Sequence, residues 1–287
     1  MNDLDENITV KYSFSKTGLR EFFNWFFFAA IAFISVMLLY QVFVAGISIV
    51  LGYETHIHIG KVDSLPHTIE HWSSNRVLLL YVFPPLFLLT VGLSMMAVLL
   101  FGSPKVNYWT WYRFWFMVFS ILFASTLMSL SFYSWTKVTR SLFQGFAVLI
   151  RWYGLTYIWA VLSVAFSIIL NFSLGFAASY VLIPIARGNF IVRRGKRYPR
   201  EIILTSFVLT ILCVFLIAII LGYPGNATLF LILFSHSILW IPGLLNISDE
   251  ALRRRKGMKT QNPEPPNLYV QMGILLLLVV LIRVFLH

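Results

Sequence analysis

The stretch FFNWFFFAAIAFISVMLLYQVFVAGISIVLG, residues 22–52, contains no charged residue. A helix of about 20 predominantly apolar residues crosses the roughly 30 Å hydrocarbon layer of a bilayer, so this stretch is long enough to span one. We therefore predict an all-α, polytopic transmembrane helical bundle of seven or eight helices, and not a β-barrel of short alternating strands. The other apolar segments that support this class lie at about 77–102, 109–133, 153–185, 201–222, 227–246 and 269–286.

The composition supports the same class. Hydrophobic residues make up 59% of the chain and charged residues 11%, whereas soluble domains carry about 25% charged residues. We predict one integral membrane domain over residues 1–287, with a polar tail at 1–21 and an exposed basic loop at 247–268. The tail has no basic region before the first apolar stretch, so that stretch is predicted to be a retained helix. Cys213 is the only cysteine, which leaves no disulfide within the chain.

Lysine and arginine positions predict the orientation in the membrane. Seven helices with a cytoplasmic N-terminus place 16 of these residues inside and five outside. Residues 139–185 also have room for two shorter helices with a turn near Tyr153–Thr156, which gives eight helices and an outside N-terminus. Both versions put the basic loops 186–200 and 253–259 in the cytoplasm, as expected for an inner or plasma membrane protein. The net charge of +11 is thereby explained by anionic lipid, and no nucleic-acid partner is predicted.

Four of the six histidines lie in YETHIHIGKVDSLPHTIEHW, residues 53–72. His56 and His58 alternate with isoleucines, and this period of two predicts a membrane-edge strand or hairpin near 54–62 with both imidazoles on one face. His67 and His71 are four residues apart and share a face if Pro66 opens a helical turn. The carboxylates of this segment belong to Glu54, Asp63 and Glu70.

Two interpretations of these histidines stay open. Imidazoles and carboxylates are zinc ligands, so His56, His58, His67 and His71 form a candidate metal site. The alternative is a solvated or pH-responsive loop. Such a loop at the membrane face requires hydrophilic residues, and histidine is one of them.

His236 lies inside the apolar run LFSHSILWIPG. An ionisable residue within a membrane helix is costly, so it is a candidate metal ligand or proton carrier. A hydrogen bond between helices requires least and is the favoured interpretation. Gln41 and Asn171 lie within apolar segments and receive the same interpretation.

The run ARGNFIVRRGKRYPR, residues 186–200, is a candidate site for an anionic lipid headgroup or for a partner's acidic segment. The alternative is ordinary retention of positive charge on the cytoplasmic side. The candidate residues are Arg187, Arg193, Arg194, Lys196 and Arg197.

The stretch ISVMLLYQVFVAGISIVLGYETHIHIG, residues 34–60, resembles the start of the site-2-type intramembrane zinc metalloproteases. In that family a long helix carries H-E-x-x-H and runs to a glycine that precedes a membrane-edge strand. Here Tyr40–Val44 occupy the motif positions, and Gly52 follows eight residues later. Pro84–Pro85 stand near the proline of the family's next conserved helix, so the resemblance covers about residues 30–140.

The residues that would carry zinc chemistry are absent from these positions. Tyr40, Gln41 and Val44 replace the two histidines and the glutamate, and the segment SFYSWTKVT lacks the family's aspartate. The resemblance therefore implies a degenerate, non-proteolytic relative, and it agrees better with the version of eight helices.

We thus expect a non-enzymatic membrane protein that acts as a subunit or scaffold for another membrane protein or for lipid. No catalytic residue is predicted. One alternative is a metal-dependent membrane enzyme that uses the histidines of residues 56–71, with zinc as its cofactor. A second is a small-molecule transporter or channel component lined by Gln41, Asn171 and His236.

Overall fold

A computed structural model describes residues 16–58, 61–65, 73–102, 108–135, 146–188, 199–221, 226–245 and 268–285, together with most of their side chains. In this part of the chain the elements are α1 (Lys16–Val50), β1 (Glu54–His58), β2 (Lys61–Leu65), α2 (Ser74–Tyr81), α3 (Phe83–Phe101), α4 (Tyr108–Ser129), a 3₁₀ helix (Leu130–Trp135), α5 (Phe146–Trp152), α6 (Tyr157–Gly188), α7 (Pro199–Leu221), α8 (Asn226–Leu245) and α9 (Leu268–Phe285).

The all-α helical bundle predicted from the sequence is confirmed. Within the described residues, four helical stretches are long and apolar enough to cross a membrane, which is compatible with a membrane protein. The boundaries differ slightly from those predicted, since α1 begins six residues earlier, at Lys16. The four stretches are Phe23–Val50, Ser74–Phe101, Trp109–Phe132 and Tyr157–Leu182.

The third apolar segment, α4, is the centre of the bundle. In its most apolar window 94% of the residues are buried, against 22% for the corresponding window of α6. Helices α1, α3, α6 and α8 all pack against α4. On the α3 side the backbones come close, because a Cβ atom added to Gly92 would lie 3.4 Å from the backbone nitrogen of Ile121. A helix enclosed in this way is expected to be mainly apolar on every side, and the polar residues buried in α4 are all serine or threonine.

Contacts between α1, α4 and α6 fix their relative directions. Trp25 stacks on Trp111 with ring centroids 4.5 Å apart, and Phe33 meets Phe119 farther along both helices, so α1 and α4 run in the same direction. Ser167 contacts Ser129. Ser167 also donates to the carbonyl of Ser125, Ser163 donates to that of Met128, and Ser131 donates to that of Ala160. Later residues of the 108–135 segment thus lie against earlier residues of α6. Helix α6 therefore runs antiparallel to α4.

Helices α7 and α8 follow the same alternation. Gly175 and Ser179 of α6 approach Leu239 and Gly243 of α8 respectively, so these two helices are parallel. His236 contacts Phe207, and the later residue Gly243 approaches the earlier residue Ile203, so α7 runs antiparallel to α8. One end of the bundle thus holds the N-termini of α1, α4 and α7 and the C-termini of α6 and α8. We call it the basic end, because its helix termini and the segments joined to them carry 16 lysine and arginine residues.

The opposite end is the hairpin end, where α1 closes in a Schellman motif. Gly52 has a φ of 75°. The N–H of Gly52 donates to the carbonyl of Ile49, and the N–H of Tyr53 donates to that of Ser48. Strands β1 and β2 then pair antiparallel, with Glu54 opposite Leu65. The strand or hairpin predicted near 54–62 is confirmed, and it extends to residue 65.

A second Schellman motif explains the turn predicted near Tyr153–Thr156. Gly154 has a φ of 59°, and the N–H of Leu155 donates to the carbonyl of Ile150. The turn is tied to the hairpin end by the Tyr153 hydroxyl, which donates to the carbonyl of Ser74 at 3.1 Å. Helix α5 has seven residues, which span about 10 Å, a third of a bilayer core.

We expect Gly52→Ala to lower the free energy of unfolding by about 1–2 kcal/mol, because an L side chain is strained at positive φ. Gly46→Ala in the same helix is the matched control. A Cβ atom meets nothing within 4 Å at either glycine, so backbone conformation is the difference between them. Thermal unfolding in detergent measures both. Equal melting temperatures for the two variants would contradict the proposed role of Gly52.

Candidate functional site

His236 is the most enclosed ionisable side chain that the structure describes, with 1% of its surface exposed. Its ring lies parallel to that of Phe207 in α7, with centroids 5.5 Å apart. Trp240, one turn farther along α8, donates from Nε1 to Nδ1 of His236 at 3.1 Å. Trp240 in turn packs against Phe114 of α4. The histidine thus belongs to a contact that joins α7, α8 and α4.

The hydrogen bonds of His236 define its tautomer. An indole N–H can only donate, so Nδ1 is the acceptor and the ring proton is on Nε2. Nε2 then donates to the carbonyl of Phe207 at 3.3 Å. Because protein groups occupy both ring nitrogens, a metal ion would have to displace one of these bonds. This geometry supports the hydrogen-bonding interpretation that the sequence favoured for His236.

The structure does not bring His236 to His56. Trp240, its neighbour, contacts Phe114 near the start of α4. Tyr40, on the last turns of α1 before the hairpin, packs against Leu127 near the end of α4. Thirteen residues of helix separate those two α4 positions, or about 20 Å. His236 and His56 therefore do not bind the same metal ion.

His56 is exposed on β1, and its Nε2 lies 3.3 Å from Oε1 of Glu54. His58 ends the same strand, but its side chain lies outside the described residues, as do His67 and His71 entirely. Among the side chains that the structure describes, no group of three histidines, cysteines or carboxylates is placed to hold a metal ion.

A line of hydroxyl groups joins α4 to α6. The Ser129 hydroxyl donates to that of Ser167 at 2.8 Å, and Ser167 donates to the carbonyl of Ser125 at 2.9 Å. Ser163 donates to the carbonyl of Met128 at 3.0 Å. Hydroxyls at such contacts satisfy one another where water is excluded and let helices approach closely.

Asn171 does not make the hydrogen bond between helices that the sequence predicted for it. Its Nδ2 donates to the carbonyl of Ser167 in its own helix at 3.0 Å, and not to another helix. Its Oδ1 is buried without a hydrogen-bond partner among the described groups. Gln41 is likewise buried, with 1% of its surface exposed.

Farther along the same side of α6, glycine residues let the backbones of α6 and α8 approach closely. A Cβ atom on Gly175 would collide with the carbonyl oxygen of Leu239 and lie 3.2 Å from Cδ of Pro242. One turn on, a Cβ atom on Gly243 would collide with the Ser179 hydroxyl. Pro242 lies within α8 and has no N–H, so the backbone bond to the carbonyl of Ile238 is missing at this contact.

Sequence reasoning missed this part of α6, although its signal is visible. Small or polar residues recur every fourth position, which places them along one side of a helix. The spacing matches small-xxx-small packing motifs in membrane helices. The positions are Ser163, Ser167, Asn171, Gly175 and Ser179.

The remaining predicted residues are placed only in part. Arg187 falls in the last turn of α6, and its side chain is outside the described residues, as are Arg193, Arg194, Lys196 and Arg197. Val44 is buried in an apolar cluster with Tyr53 and Leu80. Tyr40 packs at the edge of the same cluster, so this part of α1 faces the interior.

No family model, no curated protein and no solved structure matches this chain. The geometry therefore defines the class of protein by itself: an all-α bundle, compatible with a membrane, whose helices are joined by buried hydroxyl, glycine and histidine contacts.

We expect Gly175→Ala to destabilise the α6–α8 contact by about 1–3 kcal/mol, the usual effect of overpacking. The control is Gly273→Ala on α9, where a Cβ atom meets nothing within 4 Å. Thermal unfolding in detergent measures the difference. A Gly175→Ala protein as stable as the Gly273→Ala protein would refute the close approach of α6 and α8.

Trp240→Phe removes the donor to His236 Nδ1 and leaves a buried acceptor unsatisfied, which costs about 1–3 kcal/mol. Trp159→Phe, at a position that is 55% exposed, is expected to change stability by less than about 0.5 kcal/mol. Combining Trp240→Phe with His236→Phe removes both partners, so the double variant should lose less than the sum of the single losses. If the loss of stability in the double variant equals the sum of the two single losses, the rings of Trp240 and His236 are not coupled.

Proposed function

We propose that this chain is a non-enzymatic, multi-pass protein of the inner or plasma membrane, with its basic end toward the cytoplasm. It acts there as a subunit or scaffold, and it binds anionic lipid headgroups through residues 187–200. The observation that carries this proposal is the distribution of charge over the two ends of the bundle.

The helix directions support this orientation. The α1 N-terminus shares an end with the helix termini joined to 189–198 and 246–267. Apart from Arg283 in the last helix, the basic end has 16 lysine and arginine residues and the hairpin end has five. Positively charged connections are retained on the cytoplasmic side, so the bias favours seven crossings with a cytoplasmic N-terminus over the version of eight.

The segment 187–200 is the most uniformly charged part of the basic end. It contains six lysine and arginine residues and no carboxylate. Basic residues next to a membrane helix contribute about 1 kcal/mol each toward an anionic surface. The other basic run, at 253–259, has five lysine and arginine residues with Asp249 and Glu250 a few residues before it, a net charge of +3, whereas 187–200 together with the adjoining Glu201 has a net charge of +5.

The resemblance to site-2-type metalloproteases is not needed for this proposal. The order of α1, Gly52 and β1 agrees with the order that the resemblance implies. The resemblance also implies a cytoplasmic edge strand, whereas the proposed orientation places the hairpin outside. The orientation proposed for this chain is therefore opposite to the one that the resemblance implies.

The test is retention of anionic lipid by the purified full chain. We expect native mass spectrometry from phosphatidylglycerol vesicles to show bound lipid, and we expect R193Q/R194Q/K196Q/R197Q to retain several-fold less. The control R253Q/R254Q/R255Q/K256Q removes the same number of charges from the other basic run and should retain lipid more nearly like the unaltered chain.

Equal retention by both quadruple variants would overturn the assignment to 187–200. A chain that binds phosphatidylcholine as well as phosphatidylglycerol would overturn anionic lipid as the ligand. Copurification of a protein that is lost only in the first variant would assign the segment to an acidic partner.

A further inference from the structure

The hairpin at residues 54–65 has two unlike faces. Ile57 pairs with Val62, and Val62 packs against the apolar cluster of Val44, Tyr53 and Leu80. This face is therefore turned toward the bundle. Strand residues alternate between faces, so positions 54, 56 and 58 belong to the opposite, outward face.

The exposure of the described side chains agrees with this alternation. The side chains of Glu54 and His56 are 58% and 55% exposed. The sequence of the outward face is polar at each of its first-strand positions, and it includes both histidines of THIHIG.

The strand register adds a third candidate ligand, a carboxylate that the sequence pattern alone did not single out. Position 63 pairs directly with position 56, and position 61 with position 58. Directly opposed strand residues have Cβ atoms about 4.5–5.5 Å apart, and alternate residues of one strand are about 7 Å apart. His56, His58 and Asp63 are thus neighbouring positions on one face of a two-stranded unit.

We propose that the outward face of this hairpin binds a zinc-type divalent ion through His56, His58 and Asp63. Two imidazoles and one carboxylate are ordinary zinc ligands, at about 2.0–2.2 Å from the ion, and they leave a fourth position for water or another group. The contact between Glu54 Oε1 and His56 Nε2 leaves Nδ1 of His56 for the ion and orients the ring.

The hairpin is well placed to hold such a site. Its base is fixed by the Schellman motif at Gly52 and by Tyr53, which is 5% exposed. Lys61 lies opposite His58 and adds positive charge. Glu54 and Asp63 supply two negative charges that offset it. The site is at the opposite end of the bundle from the basic segments and does not depend on the function proposed for them.

The test compares two neighbouring cross-strand pairs of the same hairpin. His56 pairs with Asp63 on the outward face, and Thr55 pairs with Ser64 on the face turned toward the bundle. The full chain in detergent is stripped with a chelator and titrated with Zn²⁺ against a metallochromic indicator. We expect about one equivalent of zinc per chain, unchanged in T55A/S64A and at least about tenfold weaker in H56A/D63A.

A second readout identifies the ligand set. Co²⁺ in a site of two nitrogens and one oxygen gives visible absorption bands, which should appear in T55A/S64A and be lost in H56A/H58A. The proposal is overturned if the unaltered chain takes up no zinc at micromolar concentrations, or if H56A/D63A binds as tightly as T55A/S64A. An equally large loss in H67A/H71A would overturn the assignment to these three residues.

Discussion

The enclosure of α4 is the constraint on which the rest of the structure depends. A helix surrounded by other helices on every side has no water for its polar groups, so its hydroxyls depend on partners inside the protein. Among the described groups Ser120 and Thr126 have none, whereas Ser125 and Ser129 do. The Ser129 hydroxyl meets that of Ser167, and the carbonyl of Ser125 accepts from Ser167. These bonds fix the register of α6 against α4, and α6 in turn presents Gly175 to α8. The position of α8 then determines where His236 meets α7.

The same packing separates the molecule into two chemically different ends. Alternating helix directions bring the helix termini that adjoin the strongly basic segments to one end, and the hairpin with Glu54 and His56 lies at the other. His236 lies within the bundle and has its own partners in Phe207 and Trp240. His56 and His236, which are both candidates for chemistry in the sequence, therefore lie in separate places.

Much of the fold could be predicted because it follows from one-dimensional properties. Apolar length indicated the helical segments, and the period of two in THIHIG indicated the strand. The turn at 153–156 was predictable because Gly154 allows a positive φ that other residues avoid. The hydroxyl line of α6 was also visible as a spacing of four residues, from Ser163 to Ser179, and it was missed because each residue is unremarkable alone.

The sequence by itself determined the class of the protein, the segments that form helices and the charge of their connections, since each depends on residues near one another in the chain. Only the tertiary structure decided which candidates share a location. It separated His236 from His56, turned Asn171 back onto its own helix at Ser167 and set position 63 opposite position 56. The physical reason is that helix direction and strand register depend on contacts between distant segments, where hydrogen bonds and close packing of side chains, more than local propensity, select one arrangement.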